Sequence, residues 1–160
     1  MSSNALENNF DQNDNDWAKA DFLTFVLADQ LFGIPVLQVQ DILSSQNITP
    51  VPLAPKEIAG ALNLRGRIVT AIDVRTRLGI EKDTEKTKHM SIVVEDGNEL
   101  YSLIIDEVGD VLSLSDKEFE RNPATLDPVW SDISGGIYRL DGKLLVVLDV
   151  SKLLDTVNME

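Results

Sequence analysis

"GALNLRGRIVTAIDVRTRL", residues 60–78, recurs in outline as "GIYRLDGKLLVVLDVSKLL" at 136–154. Gly60, Leu64, Gly66, Asp73, Val74 and Leu78 fall on Gly136, Leu140, Gly142, Asp149, Val150 and Leu154, and the positions between are mostly apolar in both copies. A second pairing sets "FGIPVLQVQDIL" (32–43) over "YSLIIDEVGDVL" (101–112) and matches Val39, Asp41 and Leu43 to Val108, Asp110 and Leu112. The offsets are 76 and 69 residues, so the second copy carries seven extra loop residues. Self-similarity at a long period sets architecture before any local motif is read.

Each half reads as about five short strands, rich in β-branched and aromatic residues and punctuated by glycine turns. Each also closes on a helical turn, "DVRTRL" or "DVSKLL". Such units are best satisfied as small closed barrels, because closure removes exposed strand edges. The expected fold is all-β: two five-stranded SH3-like barrels packed side by side, at approximately 21–80 and 88–155, with short helical turns and a C-terminal helix. A single β-sandwich with chance similarity is the alternative. The extra residues of the second half fall in "SDKEFERNPATLDPVWSD" (115–132), where "SDKEFERN" is expected to form one short capped helix before Pro123. Pro50, Pro52 and Pro55 mark a loop that cannot be central strand.

The first repeat also contains an arginine at the edge of an apolar run. Arg65 follows Ala61, Leu62 and Leu64 and precedes Ile68, Val69, Ala71, Ile72 and Val74. A buried guanidinium without a partner is very costly, so Arg65 is either paired or carried outward on a turn, and Gly66 favours the turn. An internal role would need a buried carboxylate, for which Asp106 is the candidate.

Composition bounds the function. The chain has 160 residues, no cysteine and a single histidine, His89. A disulfide framework, thiolate zinc sites, cysteine nucleophiles and a histidine metal cluster are thereby excluded. A net charge of −13 opposes polyanions, which disfavours nucleic acid and anionic lipid and leaves a protein partner. No apolar run approaches the ~20 residues a membrane helix needs, so neither membrane insertion nor export is expected. Residues 1–16, rich in Asn, Asp, Ser and Gln, are expected to be a mobile acidic tail ahead of a folded unit at 17–160.

Catalytic chemistry is sought and not found. Two related halves, each with an aspartate after an apolar strand, invite a carboxylate dyad of Asp73 and Asp149. Their flanks, "IDVRT" and "LDVSK", are instead those of helix N-caps. His89 is read as a solvent-edge residue, and "EDGNE" (95–99) as a hairpin turn rather than a calcium loop. There is no glycine-rich phosphate loop, serine elbow or metal-ligand spacing. No cofactor or metal is expected.

The segments "FGIPVLQVQDIL", "ALNLRGRIVTAIDVRTRLG", "IDEVGDVLSL" and "LLVVLDVSKLL" together resemble the CheW family of bacterial chemotaxis adaptors, over Phe22 to Leu154. The most specific piece is "LNLRGRIVTAIDVR", with "VGDVLSL" second. The resemblance implies two five-stranded barrels and a non-catalytic adaptor. That adaptor would couple the cytoplasmic tips of chemoreceptors to the regulatory domain of the histidine kinase CheA, with other CheW-like subunits as further partners. It implies a cytoplasmic protein recruited to membrane-associated receptor arrays.

The family's arginine in "NLRG" implies a surface role for Arg65 in receptor and kinase coupling; Asp141 holds the equivalent slot of the second half. A receptor groove between the barrels is implied at Val36, Val39, Asp41 and Ile42 from one half and Val108 and Val111 from the other. A strand valine serves core as readily as interface, and both readings stand for Val39 and Val108. Ser102 stands where the family usually has glycine, and Thr70 and Ala71 where many relatives have proline or valine. A scaffold for another sensory or motility kinase system, and a hydrolase using Asp73 and Asp149, are the alternative functions.

Overall fold

The computed structural model describes residues 19–44, 47–81 and 89–157; the expected tail at 1–16 lies outside the described residues. The first half supplies β1 (Lys19–Leu27), β2 (Gln30–Pro35), a 3-10 turn (Val36–Gln38), β3 (Val39–Leu43), β4 (Ile58–Leu64), β5 (Arg67–Asp73) and helix α1 (Val74–Arg77). The second supplies β6 (Met90–Asp96), β7 (Glu99–Ile105), β8 (Glu107–Ser115), β9 (Phe119–Glu120), α2 (Pro128–Ile133), β10 (Ser134–Leu140), β11 (Lys143–Leu148) and α3 (Val150–Val157).

Two mixed sheets result, as an all-β reading requires. One runs β8-β1-β2-β11-β10-β9 and the other β3-β6-β7-β5-β4. Their plans coincide over five strands, β9 being additional: a central parallel pair, β2 with β11 or β7 with β5, is flanked by antiparallel neighbours. Among the described residues no ladder joins the two end strands of either sheet.

The sheets divide the chain differently from the expected halves 21–80 and 88–155. β1 and β2 of the first half lie in the sheet of β8 to β11, while β6 and β7 of the second half lie in the sheet of β3 to β5. The chain therefore crosses between sheets twice, at Val36–Gln38 and at Asp106, the single residue between β7 and β8. Strand alternation specifies which face is buried and says nothing about which strand is the neighbour.

Hairpins tie the strands locally. Ala28-Asp29, Arg65-Gly66 and Gly97-Asn98 are two-residue loops with φ of 52° and 67°, 51° and 84°, and 60° and 71°. That left-handed geometry suits the twist of paired strands. "EDGNE" is thus a hairpin, turning on Gly97-Asn98.

Gly60 and Gly136, matched in the repeat, sit at register shifts of β4 and β10. A Cβ on Gly60 would lie 2.3 Å from the Thr49 carbonyl oxygen, and one on Gly136 would lie 2.2 Å from the Phe119 ring. The missing side chains let Thr49 bridge to Ala61 and β9 pair with β10, so β9 becomes a sixth strand where five were expected.

The expected helix in "SDKEFERN" is not formed: Asp116–Glu118 is a 3-10 turn that leads directly into β9. The helix lies later, at α2, where Asp127 caps the Val129 amide and Pro128 takes the first turn. Proline suits that position because its fixed φ and missing N–H cost nothing there. Trp130 of this helix rests on Phe32, ring centroids 5.7 Å apart.

Three apolar clusters hold the assembly. Each sheet has an inner cluster built from equivalent positions. In one, Leu62, Val69 and Ala71 pack with Leu43, Leu64 and Leu100; in the other, Tyr138, Leu145 and Val147 pack with Leu112, Leu140 and Leu31. A larger core draws on both sheets and on the helices, including Phe25, Phe32, Ile34, Ile72, Ile92, Leu103, Ile137, Leu148 and Leu153. Burying each such side chain stabilises the fold by roughly 1.5–3 kcal/mol before ordering costs.

Candidate partner-binding site

β3 and β8 are equivalent strands, each at an end of its sheet. Val36, Val39 and Val108 are half-buried and pack against the shared central core. One side of Val39 and of Val108 therefore completes the core, as the core reading has it, and the other meets solvent. The equivalent residues Ile42 and Val111 point outward, 40% and 55% exposed. The β8 segment is fixed from beneath, because Thr24 Oγ1 donates to the Asp110 carbonyl at 2.6 Å and a Cβ on Gly109 would lie 2.7 Å from that hydroxyl.

Arg65 sits on the β4–β5 turn, its side chain 74% exposed. Its Nη2 donates to Asp41 Oδ2 at 2.8 Å, while Gly66 donates its amide to Asn63 Oδ1 at 3.0 Å to set the turn. The Arg65 hydrogen bond, and then the Ile42 amide, hold the Asp41 carboxyl below its ordinary value of 3.8. Arg65 and Asp41 thus join two of the residues singled out in the sequence and tie the end strand β3 to the hairpin beside it. Gln40, Leu64, Arg67, Val93 and Leu100 complete a shallow recess around the pair.

Asp106 is not the partner of Arg65. Its carboxylate lies inside, on Arg75 of α1, at 2.9 Å from Nε and 2.6 Å from Nη2. The hairpin carries Arg65 outward, whereas α1 aims Arg75 into the crossover where Asp106 is buried.

Two features escaped the sequence reading. Leu37, in the first crossover, is 94% exposed beside Val36, and Ile68 is 69% exposed beside Arg65 and Arg67. Leu37 aligns with Asp106, so an apolar residue facing a charged one across the repeat was the available signal. Within an apolar run like that around Ile68, nothing marks which member faces out.

Asp73 accepts from the Thr76 amide at 3.2 Å and Asp149 from the Lys152 amide at 3.1 Å. Each carboxylate starts a helix on a different sheet and contributes the stability of an N-cap, about 1 kcal/mol. Among the described residues no group of three or more His, Cys, Asp or Glu is arranged to hold a metal ion, and no helix is long and apolar enough to cross a membrane.

A family model, the CheW-like domain, matches residues 21–158. The chemotaxis protein CheW of Klebsiella aerogenes is 30% identical over 139 residues, covering 87% of this chain and 84% of that protein. The chemotaxis protein CheW of Thermotoga maritima is 26% identical over 138 residues, covering 86% and 89%. The crystal structure of the scaffolding protein TtCheW from Thermoanaerobacter tengcongensis matches with a TM-score of 0.78 at 28% identity, over 85% of this chain and 92% of that one.

Proposed function

This chain belongs to the CheW-like domain family, and from that premise we propose that it is a non-catalytic chemotaxis adaptor that couples chemoreceptors to a CheA-type histidine kinase. The observation that carries the reading is the match of family and fold over nearly all of the described chain. The work of such a protein is geometric: it holds two partners at once, and signal passes as a coupling free energy between the two contacts.

For the receptor we propose the rim formed by Val36, Val39, Asp41, Ile42, Val108 and Val111. Apolar groups that are half-covered by the core are already ordered, so covering them with a receptor helix costs little entropy. Exposed Ile42 and Val111 would add apolar contact at the two ends. Arg65 would join the contact as a planar donor fork already oriented by Asp41, suited to a carboxylate or carbonyl groups of a partner. Binding to receptors would place the protein at membrane-associated arrays.

Reconstitution of receptor, kinase and adaptor tests the proposal. Addition of the adaptor is expected to raise receptor-dependent kinase activity and to bring the kinase down with receptor-bearing membranes. Normal co-sedimentation and kinase coupling by a protein carrying Val39→Asp and Val108→Asp, folded as judged by circular dichroism, would remove the rim from the proposal.

A further inference from the structure

Each half of the sequence is completed by the other. Four strand pairings cross between them: β1 with β8, β2 with β11, β3 with β6 and β5 with β7. The same crossing holds for polar contacts. Ala28 donates its amide to Asp106, Arg75 pairs with Asp106, Gln30 donates to the Leu144 carbonyl and Arg77 to the Leu153 carbonyl. Among the described residues, the strand pairings within the first half alone are the hairpins β1–β2 and β4–β5 and the Thr49–Ala61 bridge, with the exposed Arg65–Asp41 pair beside them. A two-stranded hairpin is marginal in water by itself.

We propose that the two halves of this chain are obligate partners and that a second copy of the chain can supply either half, giving a strand-exchanged dimer. In the exchanged form every ladder, apolar cluster and ion pair named above is kept, with one half drawn from each copy. Nothing in the contacts distinguishes one copy from two. The difference lies in the joint, the seven residues between Glu81 and His89, which sets the local concentration of one half around the other. Short joints give effective concentrations of about millimolar, so the closed single copy dominates at micromolar protein and exchange competes near millimolar. This inference stands apart from the adaptor reading and needs neither receptor nor kinase.

The full chain is denatured, refolded at about 1 μM and at about 1 mM, and analysed by size-exclusion chromatography with light scattering. A folded species of twice the mass, with the melting temperature of the single copy, is expected only from the concentrated sample. When isotope-labelled and unlabelled chains are refolded together, native mass spectrometry should find mixed dimers.

A full-length variant with a protease site inserted between residues 84 and 85 gives a check that does not depend on dimer yield. After cleavage the halves should elute together at the mass of the whole chain and should trade partners with labelled halves after transient denaturation. Single copies alone at every concentration, or cleaved halves that separate while each stays folded, would overturn the proposal.

Discussion

Arg75 and Asp106 meet across the two halves of the chain, the guanidinium donating through Nε and Nη2 to both carboxylate oxygens at 2.9 and 2.6 Å. The Asp106 side chain is 2% exposed and that of Arg75 11%. The same carboxylate accepts the Ala28 amide at 3.0 Å, and Arg75 Nη1 also bonds the Glu81 carbonyl. One residue at the second crossover thus fastens the β1–β2 turn of one sheet to the helix that follows β5 of the other.

Removing one member leaves a buried charge without its partner. Asp106→Ala should lower stability by about 3–5 kcal/mol in urea denaturation. Replacing both, with Arg75→Met and Asp106→Leu, should cost much less than the single change. Equal losses in the single and double variants would show that the ion pair is not the source.

Ser102 offers the opposite case. It is 1% exposed, between Val93 of β6 and Ala71 of β5, and among the described residues its hydroxyl has no hydrogen-bond partner. The equivalent residue of the first half is Gly33. Ser102→Ala removes an unsatisfied polar atom, so it should leave stability unchanged or raise it by about 1 kcal/mol. Thermal melts and denaturant midpoints read the change, and a clear loss would reveal a partner for the hydroxyl.

Two glycines of positive φ should respond differently. Gly66, at φ 84°, has open space where a Cβ would go, so Gly66→Ala meets only backbone strain and should cost about 1 kcal/mol. At Gly60 the added Cβ collides with the Thr49 carbonyl as well. Gly60→Ala should therefore cost distinctly more, on the order of 2–4 kcal/mol, with loss of amide-exchange protection at Ala61.

Arg65 is expected to separate folding from association. Arg65→Glu should melt close to the parent protein, because the hairpin and its Asn63–Gly66 bond remain, yet it should weaken assembly with receptor and kinase by roughly thirtyfold or more. Arg65→Lys keeps charge and loses the fork, so it should fall between the two. Unfolding by Arg65→Glu, with normal binding by the folded fraction, would assign the arginine to the interior.

The Asp41 carboxyl gives this pair a pH signature. Its pKa is lowered in the folded protein, so the stabilisation is fully present above its ordinary value of 3.8 and is lost as the pH falls through the lower folded value. The pair should remain ionised throughout the neutral range. Carboxyl NMR titration of Asp41 should show a rise towards 3.8 in Arg65→Ala.

The duplicated plan was legible because helix caps, hairpin turns and close-packed glycines are local: Asp73, Asp149, Gly60 and Gly136 fall where the repeat puts them. The exchange of strands between sheets was not, because β1 next to β3 and β1 next to β8 demand the same alternation. For the same reason Arg75 was not read as the partner of Asp106, which was named only as the carboxylate an internal Arg65 would need. A buried carboxylate announces that it needs a cation, but Arg75 is brought to it only by a crossover that joins the two sheets. The capped helix was misplaced because Ser115 caps a turn of three residues before Phe119 enters β9, while Asp127 and Pro128 start the longer one.

Asp141 stands in the second repeat where Arg65 stands in the first. A body made twice from one plan risks being read by its partner at either copy of that plan. The charges at the two hairpin tips remove that degeneracy. A partner that seats a carboxylate against the guanidinium would meet another carboxylate at the other copy, and like charges brought together at an interface cost several kcal/mol. One residue in each repeat is thus enough to give two copies of one plan opposite faces to a charged partner.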